Sequence, residues 1–335
     1  MQLPEKRNAS AAATSAAPSG FAAAILADLK KSPAFFPFVG LLLVFLVASV
    51  MTEHFLSADN LLNIARQVSI NAIIAVGMTC VILSGGIDLS VGSVMALTGT
   101  LMAGMMASGV PPSLAILLGL AAGIAFGTAN GFFVAYARMP PIIVTLATMG
   151  IARGLALIYT GGYPISDLPG WFEFFGRGNV LGLQTPVLIM LLVFAVAYVV
   201  LEHTPVGRYI YAIGGNEEAT RLTGVRVPRY KLLVYGISGL TAAIAGLVLT
   251  SRLMSGQPNA GVSFELDAIA AVVMGGTAIN GGRGAIAGTL IGAVMLGVLN
   301  NGLNMMGVSP YLQNIIKGVI ILLAIYISRN SGKRT

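Results

Sequence analysis

The stretch VILSGGIDLSVGSV, residues 81–94, lies inside a long apolar region. It nevertheless carries a double glycine (Gly85, Gly86), a carboxylate (Asp88) and two serines (Ser90, Ser93). Its reading decides the fold. As a turn between two helices, Gly85-Gly86 ends the first, because glycine takes backbone conformations that other residues avoid. Asp88 or Ser90 then caps the second. As a break at membrane depth, its freed backbone groups line a path or gate, since irregular backbone survives there only against protein or water. Cap chemistry favours the turn.

The surroundings are membrane. Of 335 residues, 56% are hydrophobic and 9% charged, with a mean hydropathy of +0.87. Soluble domains carry about 25% charged residues, so lipid must be the main solvent of this chain. A membrane helix needs about 20 mainly apolar residues. Ten such segments lie near 34–51, 61–84, 90–108, 112–136, 140–160, 184–201, 231–253, 265–280, 284–306 and 310–327. The backbone must satisfy itself in hydrocarbon, so the expected fold is an all-α polytopic bundle of about ten transmembrane helices. The 42 glycines suit close helix approach.

With the N-terminus in the cytoplasm, most of the 19 Lys and Arg residues fall on the inner side. An even span count returns the C-terminus there. The net charge of +7 is thereby explained without nucleic acid. Residues 1–33 are expected to be a disordered cytoplasmic segment, with a short interfacial helix at 21–31. Residues 34–328 form the transmembrane domain and 329–335 a cytoplasmic tail. The lone Cys80 builds no disulfide, and His54 and His203 lie far apart, so no metal site is expected.

Two stretches look alike. From Gly119 and from Gly288, each runs a glycine-rich helix, an Asn-Gly pair, a turn with proline and another apolar helix. Asn130-Gly131 matches Asn301-Gly302, and Pro140 matches Pro310. Five spans separate them, which would make an inverted five-plus-five repeat of the transporter kind. Chance likeness of apolar segments is the alternative.

No ionisable relay is evident within the spans, and there is no G-x-x-x-x-G-K-[ST] loop. An uphill transporter of this kind must borrow energy through its cytoplasmic loops. The largest is 202–231, and it contains GGNEEATRLTG, residues 214–224. Asn216 suits an N-cap, Glu217 and Glu218 the first turn, and Gly224 the stop. A short helix so capped is either a docking element or a plain connector.

Here the sequence resembles the permease subunit of bacterial ATP-binding-cassette sugar importers, the ribose/xylose/arabinose/galactoside group, from about residue 35 to 328. The resemblance rests on NAIIAVGMTCVILSGGIDLSVGSVMALTG, GRYIYAIGGNEEATRLTGV, ELDAIAAVVMGGTAINGGRG and GTLIGAVMLGVLNNGLNMMGVSPYLQNIIKGVIILLA. It implies a non-catalytic subunit in the bacterial inner membrane. Its partners would be a second permease, expected to be identical, two cytoplasmic ATPases and a periplasmic sugar-binding protein. ATP and Mg would sit on the ATPases, with no cofactor on this chain. It also implies that Gly214, Gly215, Asn216, Glu217, Glu218, Ala219, Thr220, Arg221 and Leu222 form the coupling segment. A ribose-type pentose is the first expectation for the cargo.

Path and gate candidates are Gly85, Gly86, Asp88, Ser90, Asn71, Asn130, Asn301, Asn304, Gln313, Asn314 and Lys317. The amides can donate to and accept from a neutral polyol. Their alternative is interhelical hydrogen bonding, worth about 0.6 kcal/mol on average. Lys317 lies deep in its span, whereas Arg66 is expected to snorkel. The loop PGWFEFFG, 169–176, reads as an interfacial anchor. A standalone polyol channel is the competing function. An integral-membrane enzyme fares worst, for want of clustered titratable groups.

Overall fold

A computed structural model describes residues 35–331; the expected segment 1–33, and the tail beyond residue 331, lie outside them. The helices are α1 (Phe35–Met51), α2 (Ala58–Leu83), α3 (Val91–Ala107), α4 (Pro112–Ala135), α5 (Pro141–Thr160), α6 (Phe174–Arg177), α7 (Thr185–His203), α8 (Pro205–Gly215), α9 (Glu217–Leu222), α10 (Val227–Leu253), α11 (Phe264–Met274), α12 (Ile286–Met305) and α13 (Pro310–Ser331). A small antiparallel hairpin pairs β1 (Asn179–Val180) with β2 (Leu183–Gln184). Proline in the first turn starts α4, α5, α7, α8 and α10, where its missing N–H costs no hydrogen bond.

Each of the ten expected segments contains a helix, but they are not equivalent. Six of them, α2, α4, α5, α7, α10 and α12, are long and apolar enough to cross a membrane. The expected span 265–280 stops at Met274, after 11 residues. That is about 16 Å of helix, against a hydrocarbon core of about 30 Å. Gly275-Gly276 ends it.

Helices α2, α10 and α12 are mostly buried, whereas α4, α5 and α7 are mostly exposed. The exposed side chains of those outer helices include Leu117, Ile124, Phe132, Ile143, Leu146, Ile158, Leu192 and Val199. An apolar rim around a buried centre is the inverse of a water-soluble protein and fits a lipid solvent.

The tightest seam joins α4 to α10. Glycines recur every fourth residue on α4, and three of them meet α10 backbone. A Cβ on Gly123 would stand 2.5 Å from Gly239 O, one on Gly127 2.1 Å from Tyr235 O, and one on Gly131 2.8 Å from Leu232 Cα. This is the small-residue packing that membrane helices use in place of a hydrophobic driving force. Gly127→Val therefore has to part the helices. It is expected to cost about 1–3 kcal/mol, seen as a lower melting temperature in detergent; an unchanged melt would refute the seam.

The loop between α5 and α7 folds down onto the end of α10. Phe172 is fully buried with Met102, Met106, Ala115 and Leu247, and the Ser251 hydroxyl donates to the Phe172 carbonyl. Arg177 Nε donates to Arg252 O at 2.8 Å. Trp171 and Phe174 remain half exposed. The loop expected to be an interfacial anchor is thus partly core, because Phe172 turns inward.

Candidate functional site

The opening stretch resolves into a defined cap. Gly85 has φ +84°. Its N–H donates to Ile82 O at 2.9 Å, and Gly86 N–H donates to Val81 O at 3.0 Å. These are the two bonds of a Schellman motif, which satisfies the last carbonyls of α2. The second glycine-rich break is built the same way. Gly276 has φ +89°, its N–H donates to Val273 O at 2.9 Å, and Thr277 N–H donates to Val272 O at 3.1 Å.

These two breaks meet each other and Gly214-Gly215, the start of the segment 214–222. Gly282 N–H donates to Leu83 O at 3.0 Å, so one break caps a carbonyl left over from the other. A Cβ on Gly281 would stand 2.9 Å from Gly85 N and 3.1 Å from Gly214 Cα. One on Gly214 would stand 1.8 Å from Leu83 O, and one on Gly282 2.6 Å from Gly215 N. Three double glycines, each unremarkable in sequence, form one backbone-on-backbone junction. Tyr211 on α8 adds a bond to it, donating to Gly284 O at 3.1 Å. Burial, and then the nearby Glu202 carboxylate, pushes the Tyr211 phenol up to about 12. It therefore keeps the donated proton at any physiological pH.

Immediately after that junction, Asn216 caps α9. Its Oδ1 accepts from Ala219 N–H at 2.9 Å. Glu217 and Glu218 occupy the first turn, and Gly224, at φ +86°, ends the segment with its N–H on Arg221 O. Both glutamates are already engaged: Glu217 with Lys231 and Glu218 with Arg221, each at 2.6 Å. Thr220 is buried against the protein, whereas Leu222 is 78% exposed. Leu222 is thus a large apolar side chain without cover at the tip of a short helix.

Asp88 does not cap α3 in the expected manner, and neither does Ser90. Ser90 occupies the N-cap position without a side-chain cap bond. Instead it donates to Asp88 Oδ1 from its hydroxyl at 2.6 Å and from its N–H at 3.0 Å. Ser238 on α10 donates to Asp88 Oδ2 at 2.7 Å. The chain continues outward: Asn130 Nδ2 donates to Ser90 Oγ at 2.9 Å, and Thr148 donates to Asn130 Oδ1 at 2.6 Å. Every proton points toward a carboxylate that is 1% exposed. Among the described residues no cation pairs with it. The network ties the α2–α3 break to α4, α5 and α10. Ser93 is buried in α3.

A second polar centre lies toward the other end of α10. A cavity of about 210 Å³ is lined by Gln67, Asn71, Arg252, Asp267, Asn300, Asn304, Gln313 and Lys317, with Ile70, Leu249 and Phe264. At about 30 Å³ per water it holds roughly seven, the scale of a small polyol. Lys317 Nζ stands 3.1 Å from Asp267 Oδ1. Gln313 donates to Asn304 Oδ1 at 2.7 Å. The side-chain oxygens of Asn71 and Asn300 are buried without partners, and an unpaired buried acceptor invites a donor from a ligand or water.

Of the sequence candidates, Asn71, Asn304, Gln313 and Lys317 therefore meet in this cavity. Asn130, Ser90 and Asp88 meet in the network. Two lie elsewhere. Asn301 exchanges two amide hydrogen bonds with Asn60, at 3.0 and 2.8 Å, because it faces the start of α2. Asn314 points outward and is exposed. Arg66 is not snorkelling freely: its Nε donates to Gln184 Oε1 at 3.3 Å. Arg153 is held by the carbonyls of Pro258 and Ala260. Sequence reasoning missed Gln67, Arg252, Asp267 and Asn300. Only the isolated in-span Lys317 hinted that an acid had to lie nearby.

Comparison with known proteins gives a consistent result. A family model described as "Branched-chain amino acid transport system / permease component" matches residues 60–325. The chain is 52% identical to the ribose import permease protein RbsC of Bacillus subtilis, over 88% of this chain and 92% of that one. It is 50% identical to the protein of that name in Escherichia coli K12, over 86% and 91%. It is 39% identical to the E. coli K12 xylose transport system permease protein XylH, over 84% and 87%. No solved structure matches significantly.

Proposed function

The chain belongs to the branched-chain amino acid transport system / permease component family, and from that premise we propose that it is the membrane permease of a sugar importer. It is a multi-pass membrane protein. The observation that carries the sugar reading is half-identity, across nearly the whole chain, with permeases named for ribose import. A ribose-type pentose is the proposed cargo, and the cavity around Asn71, Asn304 and Gln313 is its proposed resting site. Amides that both donate and accept suit a neutral polyol.

The proposed architecture is ten spans in two inverted halves. Packing supports it: α10 lies against α3 and α4 as α2 lies against α11 and α12, and α2 lies against α10. Each of these pairs maps onto the other when span numbers shift by five. The end carrying α9 is proposed to face the cytoplasm of a bacterium, with both termini on that side of the inner membrane. The partners are two ATPases, which bind ATP and Mg, a periplasmic sugar-binding protein and a second, identical permease. This chain carries out no covalent chemistry. ATPase closure moves α9, and Gly214-Gly215 hands that displacement to the breaks after Ser84 and Met274. Backbone in direct contact transmits motion without slack.

Leu222→Glu is expected to lower sugar-stimulated ATPase activity of the assembled complex about tenfold while the permease stays folded in the membrane. Full stimulation in that variant would remove Leu222 from the docking surface. The larger reading is tested by uptake into vesicles. Uptake that requires ATP, the ATPase and the binding protein supports it. Downhill flux through this chain alone would replace it with a channel.

A further inference from the structure

One face of α10 carries a sequence of side chains that neither the sugar path nor the coupling segment uses. Arg226, Arg229, Tyr230, Leu233, Ile237 and Leu240 follow at helical spacing, so they stack along one stripe. At the α9 end Arg226, Arg229, Tyr230 and Leu233 line a cavity of about 450 Å³, together with Tyr209 and the Thr223–Val225 turn that follows α9. The rings of Tyr209 and Tyr230 stand 5.0 Å apart. Neither guanidinium has an ion-pair partner among the described residues. A second groove of about 450 Å³ continues from the first and shares Arg229 and Leu233 with it. Its walls are mainly apolar, from Ile124 and Thr128 on α4 to Leu240 on α10, and it runs along the outer surface toward the middle of α10.

We infer that this stripe binds one anionic phospholipid, its headgroup phosphate between Arg226 and Arg229 and one acyl chain in the groove beside α4. Charge complementarity commits the headgroup end: two unpaired guanidiniums attract a phosphate bidentately. The tyrosine pair sits where aromatic rings favour the boundary between headgroup and hydrocarbon. The groove continues in the direction an acyl chain must take. A free phosphate would use only the first half, and a docked protein would leave the groove's depth unfilled. The glycine seam explains why the groove exists, since it draws α4 and α10 together and leaves a furrow alongside. Gly236 leaves the furrow open. A Cβ there meets only Thr128 Oγ1, at 3.3 Å.

The test is native mass spectrometry of the full-length chain, released from detergent micelles supplemented with phosphatidylglycerol or with phosphatidylethanolamine. The wild type is expected to retain phosphatidylglycerol on the order of tenfold more strongly, as two interfacial arginines imply. Arg226→Gln/Arg229→Gln is expected to reduce that to the phosphatidylethanolamine level, and Arg226→Lys/Arg229→Lys to keep most of it. Gly236→Leu fills the furrow with every charge intact and is expected to weaken retention as well. It keeps the inference open to refutation should the glutamine pair fail to fold. Equal retention of the two lipids overturns the proposal. So does complete displacement by millimolar inorganic phosphate, which would mean a simple anion site. Displacement by added ATPase subunit or by a second copy of the chain also overturns it, since the stripe would then be a protein interface.

Discussion

A Lys317→Met variant is expected to lose about 3–5 kcal/mol of stability, the usual cost of stripping one partner from a buried ion pair. Lys317 lies 3.1 Å from Asp267, and the two side chains are 18% and 8% exposed. Removing the ammonium leaves the Asp267 carboxylate in a cavity whose other lining groups are amides and apolar side chains, with Arg252 as its one remaining cation. The double variant Asp267→Asn/Lys317→Met has no lone charge and is expected to recover most of the loss, because a neutral pair of similar volume often matches an ion pair in stability. Melting curves in detergent for the wild type, both single variants and the double variant measure the coupling directly. Uptake separates structure from function. If the pair also orients cargo, the double variant stays folded but transports poorly. A double variant that melts as low as the singles would mean that the pair is not the stabilising unit.

The second large effect is expected at Asp88. Asp88→Ala leaves three donated bonds without an acceptor, two from Ser90 and one from Ser238. An unmet buried donor costs about 1–3 kcal/mol, so a loss of roughly 3 kcal/mol or more is expected, with the α2–α3 break detached from α10. Asp88→Asn retains one oxygen for Ser90, and its amide can donate to the Ser238 hydroxyl, which rotates to accept. It is expected to restore most of the stability. Amide hydrogen exchange around residues 84–90 is the discriminating measurement, since detachment raises exchange there before the whole protein melts. Wild-type exchange in Asp88→Ala would mean that the carboxylate does not hold the break.

Much of this was legible in the chain. Asn216, Glu217, Glu218 and Gly224 announce α9, because cap chemistry is local and acts within a turn. The double glycine at 85–86 likewise read as a helix end, and Gly85 supplies the positive φ that a Schellman cap demands. What was not legible is how separate stretches combine. Asp88 looked like a cap for α3 but serves as the acceptor for Ser238, 150 residues away. Asn301 looked as suited to a polyol as Asn304, yet its amide is consumed by Asn60. Apolar helices carry little information on rotation about their own axes, so the direction of a polar side chain is fixed by its neighbours.

The sequence by itself determined the solvent, the helical class and the local helix ends, since hydropathy and capping are properties of single segments. Only the tertiary structure decided that three glycine pairs converge, that Lys317 finds Asp267 and that five amides face one cavity. Those outcomes depend on contacts between residues far apart in the chain, and the side-chain chemistry of one helix does not state which partner it will meet.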